Sequence, residues 1–294
     1  MKVTTCYQKF DVQHVFGVIS NDIPKSIFLS QFDFPYLCAC GAGEDVILWN
    51  LKTGNSVGKI ECVTKCAPVS CLCSSGSSNF LRIGVGYLDG WVRLFQINSS
   101  DFSHELEAHF RAGQSRVSSI DTLNDILVCS SGSDINVLDI ISGSGSKLKG
   151  HRGFITRLRL IRDGSLLISS SQDTFIKFWD LKCLHCFATL SGHSGPVWDF
   201  GLADEYRILV SGTAESQLRL WKLTHLSRDD PSALVTSDVN ASTVQPLNES
   251  QSLIRAEFIG CFPRIGARRI HSLVFDPTGE FLLVHVSSDC ITEY

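Results

Sequence analysis

The pattern of apolar and polar positions predicts short β-strands. Four runs rich in β-branched and aromatic residues follow one another at residues 154–160, 165–171, 175–181 and 185–190, with turn-forming residues such as Arg-Asp-Gly at 162–164 between them. Strict apolar–polar alternation is absent, which is typical of a sheet that neighbouring sheets cover on both faces. No long segment has a helical period, so the pattern predicts an all-β chain.

Several residues recur with a spacing of 42. The recurring pairs are His151 and His193, Ser169 and Ser211, Asp173 and Glu215, and Trp179 and Trp221. A further 42 residues upstream, His109 predicts the same opening for the preceding unit. A period of about 40–45 residues, with a Gly-His opening and a Trp-Asp close, is the signature of a four-stranded propeller blade.

This period divides the chain into six predicted blades and one insertion. The blades lie at approximately residues 20–62, 63–107, 108–149, 150–191, 192–225 and 268–294. Phe95, Leu138 and Tyr294 take the tryptophan slot in the second, third and sixth blades. Residues 226–267 are rich in Ser, Asp, Asn and Pro, and are predicted to form a flexible polar insertion.

These motifs resemble those of the WD-repeat family. The resemblance implies a β-propeller in which hydrogen bonds join the entry-loop histidine, a second-strand serine, a turn carboxylate and a third-strand tryptophan of each blade. The matching residues are His151, Ser169, Asp173 and Trp179 in blade four, and His193, Ser211, Glu215 and Trp221 in blade five. Independently of the family, a buried indole N–H without an acceptor would cost about 1–3 kcal/mol.

A Ser-His-Asp hydrolase site is excluded for these residues. The set recurs in successive blades, its serine lies in mid-strand, and no nucleophile turn accompanies it. The residues are therefore predicted to hold blades together, and no catalytic residue is predicted. A propeller enzyme would need ionisable residues that converge on one site, and the sequence indicates no such set.

Composition and charge narrow the remaining classes. The 294 residues are 44% hydrophobic with a formal charge of −4, which indicates a folded protein and excludes a generally basic nucleic-acid binder. No apolar run approaches the roughly 20 residues of a membrane span, so no membrane association is predicted. Twelve cysteines are interpreted as reduced thiols, and Cys183 with Cys186 lacks the second pair that zinc requires, so neither a metal site nor a cofactor is predicted.

A small set of residues is predicted to contact a partner or RNA. Trp91 begins a third strand, at a predicted rim position, and the densest basic cluster of the chain supplies the others. The basic candidates are Lys147, Lys149, Arg152, Arg157 and Arg159.

Longer strings, at residues 15–20, 86–95, 148–156 and 185–198, narrow the resemblance. They are similar to the amino-terminal propeller of a nucleolar WD-repeat family in the UTP-B subcomplex of the small-subunit processome. The resemblance implies a nuclear, nucleolar, non-enzymatic scaffold in pre-rRNA processing and small-subunit biogenesis, without a small-molecule substrate. Its implied partners are other UTP-B WD-repeat subunits, pre-rRNA and a box C/D snoRNP, bound directly or indirectly.

Two alternatives stay open. Family propellers close with seven blades, which implies that this chain is truncated; otherwise residues 15–19 would pair with the strand ending at Tyr294 and close six blades. The second alternative concerns function: a general WD-repeat adaptor, such as a substrate receptor of a ubiquitin ligase or a trafficking coat subunit, would share the blade motifs.

Overall fold

A computed structural model describes most of the chain. The described residues are 26–28, 36–62, 67–77, 80–98, 102–203, 206–214, 217–226, 253–263, 270–275, 279, 282–286 and 291–293. Three positions that carry predictions, residues 15–19, Glu215 and Tyr294, lie outside them.

Strands that follow one another in the chain lie side by side in antiparallel sheets. Sheet one consists of β1 (Ser26–Phe28), β2 (Leu37–Ala42), β3 (Asp45–Asn50) and β4 (Asn55–Ile60). Sheet two consists of β5 (Val69–Ser77), β6 (Phe80–Tyr87), β7 (Trp91–Asn98) and β8 (His104–Arg111). Sheet three consists of β9 (Val117–Leu123), β10 (Ile126–Ser131), β11 (Asp134–Asp139) and β12 (Gly145–Leu148). Sheet four consists of β13 (Ile155–Ile161), β14 (Leu166–Ser171), β15 (Ile176–Asp180) and β16 (His185–Leu190). Sheet five consists of β17 (Val197–Ala203), β18 (Ile208–Thr213), β19 (Gln217–Leu226) and β20 (Leu253–Pro263). Sheet six consists of β21 (Ile270–Phe275), β22 (Leu282–Val286) and β23 (Ile291–Glu293).

The predicted all-β class is confirmed. One 3-10 turn at Arg162–Gly164 is the only helical element in the described ranges. The four strands of sheet four begin and end within one residue of the predicted bounds. The described residues form six sheets, and five of these sheets have four strands.

Two local features differ from the sequence-based expectation. Strand β20 lies inside the segment predicted as a flexible insertion and pairs with β19 from Gln217 to Leu226. Apolar residues of β20, such as Phe258 and Phe262, were hidden by the polar average of the longer segment. His109 lies within β8 and does not open sheet three; β9 begins only 38 residues before β13, whereas β13 begins 42 before β17.

The chain divides into two compact units. The amino-terminal unit comprises the described residues of 10–150 and 158–165, and the carboxy-terminal unit comprises those of 151–157 and 166–294. Apolar clusters between consecutive sheets form the cores. In the amino-terminal unit one cluster joins sheets one and two, and another joins sheets two and three. In the carboxy-terminal unit a cluster joins sheets five and six.

Within these units, polar bonds also tie the first strand of one sheet to the first strand of the next. They run from Ser70 Oγ to Val117 O (2.6 Å), from Thr156 Oγ1 to Val197 O (2.8 Å), from Leu160 N to Asp121 Oδ2 (2.7 Å) and from Leu273 N to Asp199 Oδ2 (2.8 Å). Both aspartates are buried, so these bonds compensate part of the cost of removing their charge from water.

Candidate functional site

Sheet four brings together the four predicted network residues. His151 Nδ1 lies 2.8 Å from Asp173 Oδ2, and its Nε2 lies 2.8 Å from Ser169 Oγ. Trp179 Nε1 donates to the same Ser169 oxygen at 2.8 Å. Because Nδ1 donates to the carboxylate, Nε2 is left to accept the serine proton, and each buried polar atom of the network has a partner.

Asp173 also anchors the backbone of two loops. Its Oδ2 accepts the N–H of Arg152 at 2.9 Å, and its Oδ1 accepts the N–H of Phe175 at 3.1 Å. Burial acts to raise the pKa of Asp173, but the His151 hydrogen bond and these N–H groups outweigh it and hold the pKa well below its ordinary value. The carboxylate therefore stays ionised and joins the loop before β13 to the turn before β15.

Sheet five repeats the network, but its histidine Nδ1 meets a backbone oxygen in place of a carboxylate. His193 Nε2 lies 2.8 Å from Ser211 Oγ, and Trp221 Nε1 donates to that oxygen at 3.1 Å. His193 Nδ1 lies 3.1 Å from the backbone oxygen of Thr174. Burial, followed by the charge of Arg219, lowers the pKa of His193 to about 4, while the Thr174 bond opposes this shift.

Sheet one contains a further acceptor that the sequence analysis missed. Trp49 Nε1 donates to Cys40 Sγ at 3.0 Å. The serines of sheets four and five precede their tryptophans by ten residues, whereas Cys40 precedes Trp49 by nine, so a fixed offset misses it. Counting back across the shorter turn would have found it.

The candidate basic cluster separates into paired and unpaired cations. Lys147 pairs with Asp134 at 2.7 Å, Arg157 lies 3.6 Å from Asp199, and Arg159 lies 3.7 Å from Asp121. Lys149 and Arg152 are exposed, and within the described ranges neither has an acidic side chain within 4.0 Å. Trp91, the aromatic candidate, is half-buried at the start of β7 and stacks on His109.

An ion-pair network around Arg82 gave no signal in the sequence. Arg82 donates to both carboxylate oxygens of Glu107 at 2.9 and 2.7 Å, and its Nη1 donates to Asn124 O and Asp125 Oδ1 at 2.9 and 3.1 Å. Asn124 Nδ2 in turn donates to Asp163 O at 3.2 Å. Arg82 and Glu107 are 25 positions apart and follow no repeat, so only the fold brings them together.

The residue after the tryptophan slot also has a structural task. Asp139 and Asp180 each accept two backbone N–H groups of the turn that follows, through Oδ1, and Asn50 does the same in sheet one. The Trp-Asp pair that marks the repeat is thus a strand residue followed by a turn cap. A side chain that satisfies its own turn is not available for chemistry.

Groups that could hold a metal ion and helices that could cross a membrane are both absent from the described residues. In those residues, no group of three or more His, Cys, Asp or Glu side chains is placed to hold a metal ion. Cys183 is exposed, and Cys186 Sγ lies 3.4 Å from Ala188 O. No helix in the described ranges has the length and apolar character needed to cross a bilayer.

Comparison with known proteins agrees with the repeat pattern. The family model described as the WDR3 first beta-propeller domain matches residues 36–223. The chain is similar to the U3 small nucleolar RNA-associated protein 12 of Saccharomyces cerevisiae, with 29% identity over 213 residues, covering 68% of this chain and 22% of the yeast protein. It is also similar to the eukaryotic translation initiation factor 3 subunit I of Mycosarcoma maydis, with 36% identity over 76 residues, covering 26% of this chain and 22% of that protein.

The chain thus spans about a fifth of the length of these two relatives. Among solved structures, the computationally designed Ika8 protein aligns with a TM-score of 0.63 and 15% identity, covering 92% of this chain and 70% of the designed one, which is a likeness of fold alone. The family match covers more than half of the chain, and the resemblance to the first propeller of WD repeat-containing protein three, the fungal U3-associated protein twelve, is confirmed. The chain therefore belongs to the WDR3 first beta-propeller domain family.

Proposed function

We propose that the chain is a non-enzymatic scaffold of the small-subunit processome, acting with UTP-B WD-repeat subunits in nucleolar pre-rRNA processing. The similarity to the yeast U3 small nucleolar RNA-associated protein 12, over 68% of the chain, carries this proposal. That match extends over several blades, so more than a shared blade motif supports it. Pre-rRNA and a box C/D snoRNP are the RNA partners.

The chemistry of the network residues supports binding as the function. Ser169, the residue most like a nucleophile in the repeat, accepts the indole N–H of Trp179 and contacts His151 while fully buried. Asp173 is occupied by backbone N–H groups as well as by the imidazole. These groups stabilise the fold, which leaves the outer surface of the chain for partners.

Affinity purification with RNA sequencing and mass spectrometry tests the proposal. We expect the tagged 294-residue chain, expressed in eukaryotic cells, to recover box C/D snoRNA and UTP-B subunits. Gly90→Val is the matched negative control, because its side chain would collide with Gly113 O and disrupt the fold. That variant should recover neither snoRNA nor UTP-B subunits.

A general adaptor is the second candidate, favoured by one observation. The likeness to initiation factor 3 subunit I is higher in identity, 36%, but covers only 76 residues. Blade motifs common to many WD-repeat proteins would produce such a match. Recovery of initiation-factor, ubiquitin-ligase or coat subunits without snoRNA would contradict the processome proposal and support the adaptor.

A further inference from the structure

The outer edge of sheet two carries an aromatic and basic cluster on the β7–β8 hairpin. We name it the Trp91 platform and define it as Trp91, Arg93, His109 and Arg111. Trp91 lies directly opposite Arg111 in the strand pairing, and Arg93 lies opposite His109. Directly opposite residues, and residues two apart on one strand, point to the same face of a sheet, so all four side chains share one face.

Two rings of the platform form a stack. The centroids of Trp91 and His109 are 6.2 Å apart and their planes differ by 27°. Trp91 is half-buried and packs against the core between sheets one and two, which fixes the inner ring. His109 is exposed, so a third flat ring can extend the stack on the imidazole.

Positive charge lies beside this stack. Arg111 is exposed, its Nε donates to Gly113 O at 3.2 Å, and within the described residues no carboxylate lies within 4.0 Å of it. Arg93 is half-buried, contacts Cys62 Sγ and lies 5.2 Å from the centroid of the Tyr87 ring. The exposed charge of Arg111 therefore makes this face attractive to an anionic ligand.

We propose that the Trp91 platform binds single-stranded RNA, with an unpaired base stacked on His109 and the adjacent phosphate on Arg111. Aromatic stacking combined with an arginine at the backbone is the general mode by which proteins hold unpaired nucleotides. An acidic peptide would use the arginine but not the open ring face. The identity of the RNA rests on the proposed function, whereas the mode of binding rests on the platform itself.

Fluorescence anisotropy with a labelled uridine-rich oligonucleotide of about 12 nucleotides tests the proposal on the complete 294-residue chain. His109→Ala should weaken binding by about 5- to 160-fold, the range that corresponds to the removal of one stacking side chain. Arg111→Gln should lower the slope of log affinity against log salt by about 0.7, the value for one contact to a single strand. His109→Ala should leave that slope unchanged.

The same two strands supply a matched control. His104 also lies on β8 and also meets an aromatic residue of β7, but its ring stands edge-on to Phe95 at 6.1 Å and 75°. Phe95 is buried, so this pair offers no stacked platform. His104→Ala should bind RNA as the unaltered chain does. Lys52→Gln, which removes an exposed cation from sheet one, controls for the loss of one charge.

Three results would overturn the proposal. The first is RNA binding unchanged by His109→Ala and Arg111→Gln, the second is equal binding of a duplex that hides its base faces, and the third is binding of a polyglutamate peptide in place of RNA. The scaffold function is tested separately. The double variant His109→Ala with Arg111→Gln separates the two proposals. If it binds isolated RNA as the unaltered chain does and still recovers snoRNA and UTP-B subunits from cells, RNA binding by the Trp91 platform is contradicted and the scaffold function is supported.

Discussion

In three sheets a third-strand tryptophan donates its indole N–H to a second-strand side chain; the pairs are Trp49 with Cys40, Trp179 with Ser169, and Trp221 with Ser211. Sheets two and three hold Phe95 and Leu138 in the same slot, and neither residue has a donor. The second-strand positions equivalent to the acceptor serines are Val85 and Cys129 there, both fully buried. Val85 offers no acceptor, whereas Cys129 keeps a sulfur, as Cys40 does in sheet one. At the residue scale, each of these three slot tryptophans therefore has an acceptor, because an unpaired buried N–H costs about 1–3 kcal/mol.

A double-mutant cycle on Ser169 and Trp179 tests this matching. Ser169→Ala removes the acceptor and should lower the free energy of unfolding by about 2 kcal/mol. Trp179→Phe should cost less in the Ser169→Ala background than in the unaltered chain, because the phenyl ring needs no acceptor. Urea denaturation of the four proteins measures the coupling, and additive effects of the two changes would contradict it.

At the scale of strands and turns, the sequence was informative where a signal is local. The bounds of β13–β16 were predictable because β-branched runs alternate with turn residues. Strand β20 was not predictable, because its apolar residues lie in a long polar segment and its partner β19 precedes that segment. His109 matched the 42-residue period by chance. The third repeat is shorter, so the position equivalent to His151, four residues before the first strand of its sheet, is Gly113.

The network sites divide in the same way. His151, Ser169, Asp173 and Trp179 could be found from their period, whereas Cys40 is displaced by one residue from it. The bonds of Arg82, to Glu107 within sheet two and to Asp125 in the turn before β10, join positions that no local pattern relates. Register irregularities are a further example: a bulge lies at the tryptophan slot of sheets one, two, four and five, and nothing in the repeat marks it.

Two turn glycines test the difference between backbone strain and close packing. Gly90 and Gly143 both have a positive φ, of 86° and 66°. A Cβ on Gly143 would meet no atom within 4 Å, so Gly143→Ala should cost about 1 kcal/mol of stability from conformation alone. A Cβ on Gly90 would collide with Gly113 O, so Gly90→Ala should cost about 3 kcal/mol or more. Equal shifts in the urea midpoint would show that the close approach does not matter.

The Arg82 network predicts a second effect at this scale. The side chains of Arg82 and Glu107 are 13% and 19% exposed, so Arg82→Met would leave a largely buried carboxylate without its partner. We expect a loss of about 3 kcal/mol in the free energy of unfolding, and a smaller loss when Glu107→Met accompanies it. Lys59→Met breaks an exposed pair as the control and should change the denaturation midpoint little. A double variant as unstable as Arg82→Met alone would contradict the pairing.

At the scale of the whole molecule, the repeat identifies the family, and the fold determines which polar and charged side chains are engaged in internal hydrogen bonds and which are exposed. The imidazole, hydroxyl and carboxylate groups of the network residues in sheets four and five are held by one another or by backbone. Among the described residues that we predict or propose as partner contacts, Lys149, Arg152, His109 and Arg111 are exposed.

Acid sensitivity is a property of the whole chain, because proton uptake by the folded and unfolded states sets the pH dependence of stability. The folded pKa of His193 is about 4, below its ordinary 6.5, so the unfolded state binds more protons between these values. Stability should therefore be full above about pH 6.5 and fall by about 3 kcal/mol as the pH is lowered towards 4. The pKa of Asp173 is lowered in the folded state, so its stabilisation is present throughout this window and is lost as the pH falls below the ordinary value of 3.8. Asp173 therefore does not contribute to the expected decline between pH 6.5 and 4. Urea midpoints measured from pH 7 downwards should decline for the unaltered chain and less steeply for His193→Gln; the same slope in both would show that His193 is not the group that links protonation to unfolding.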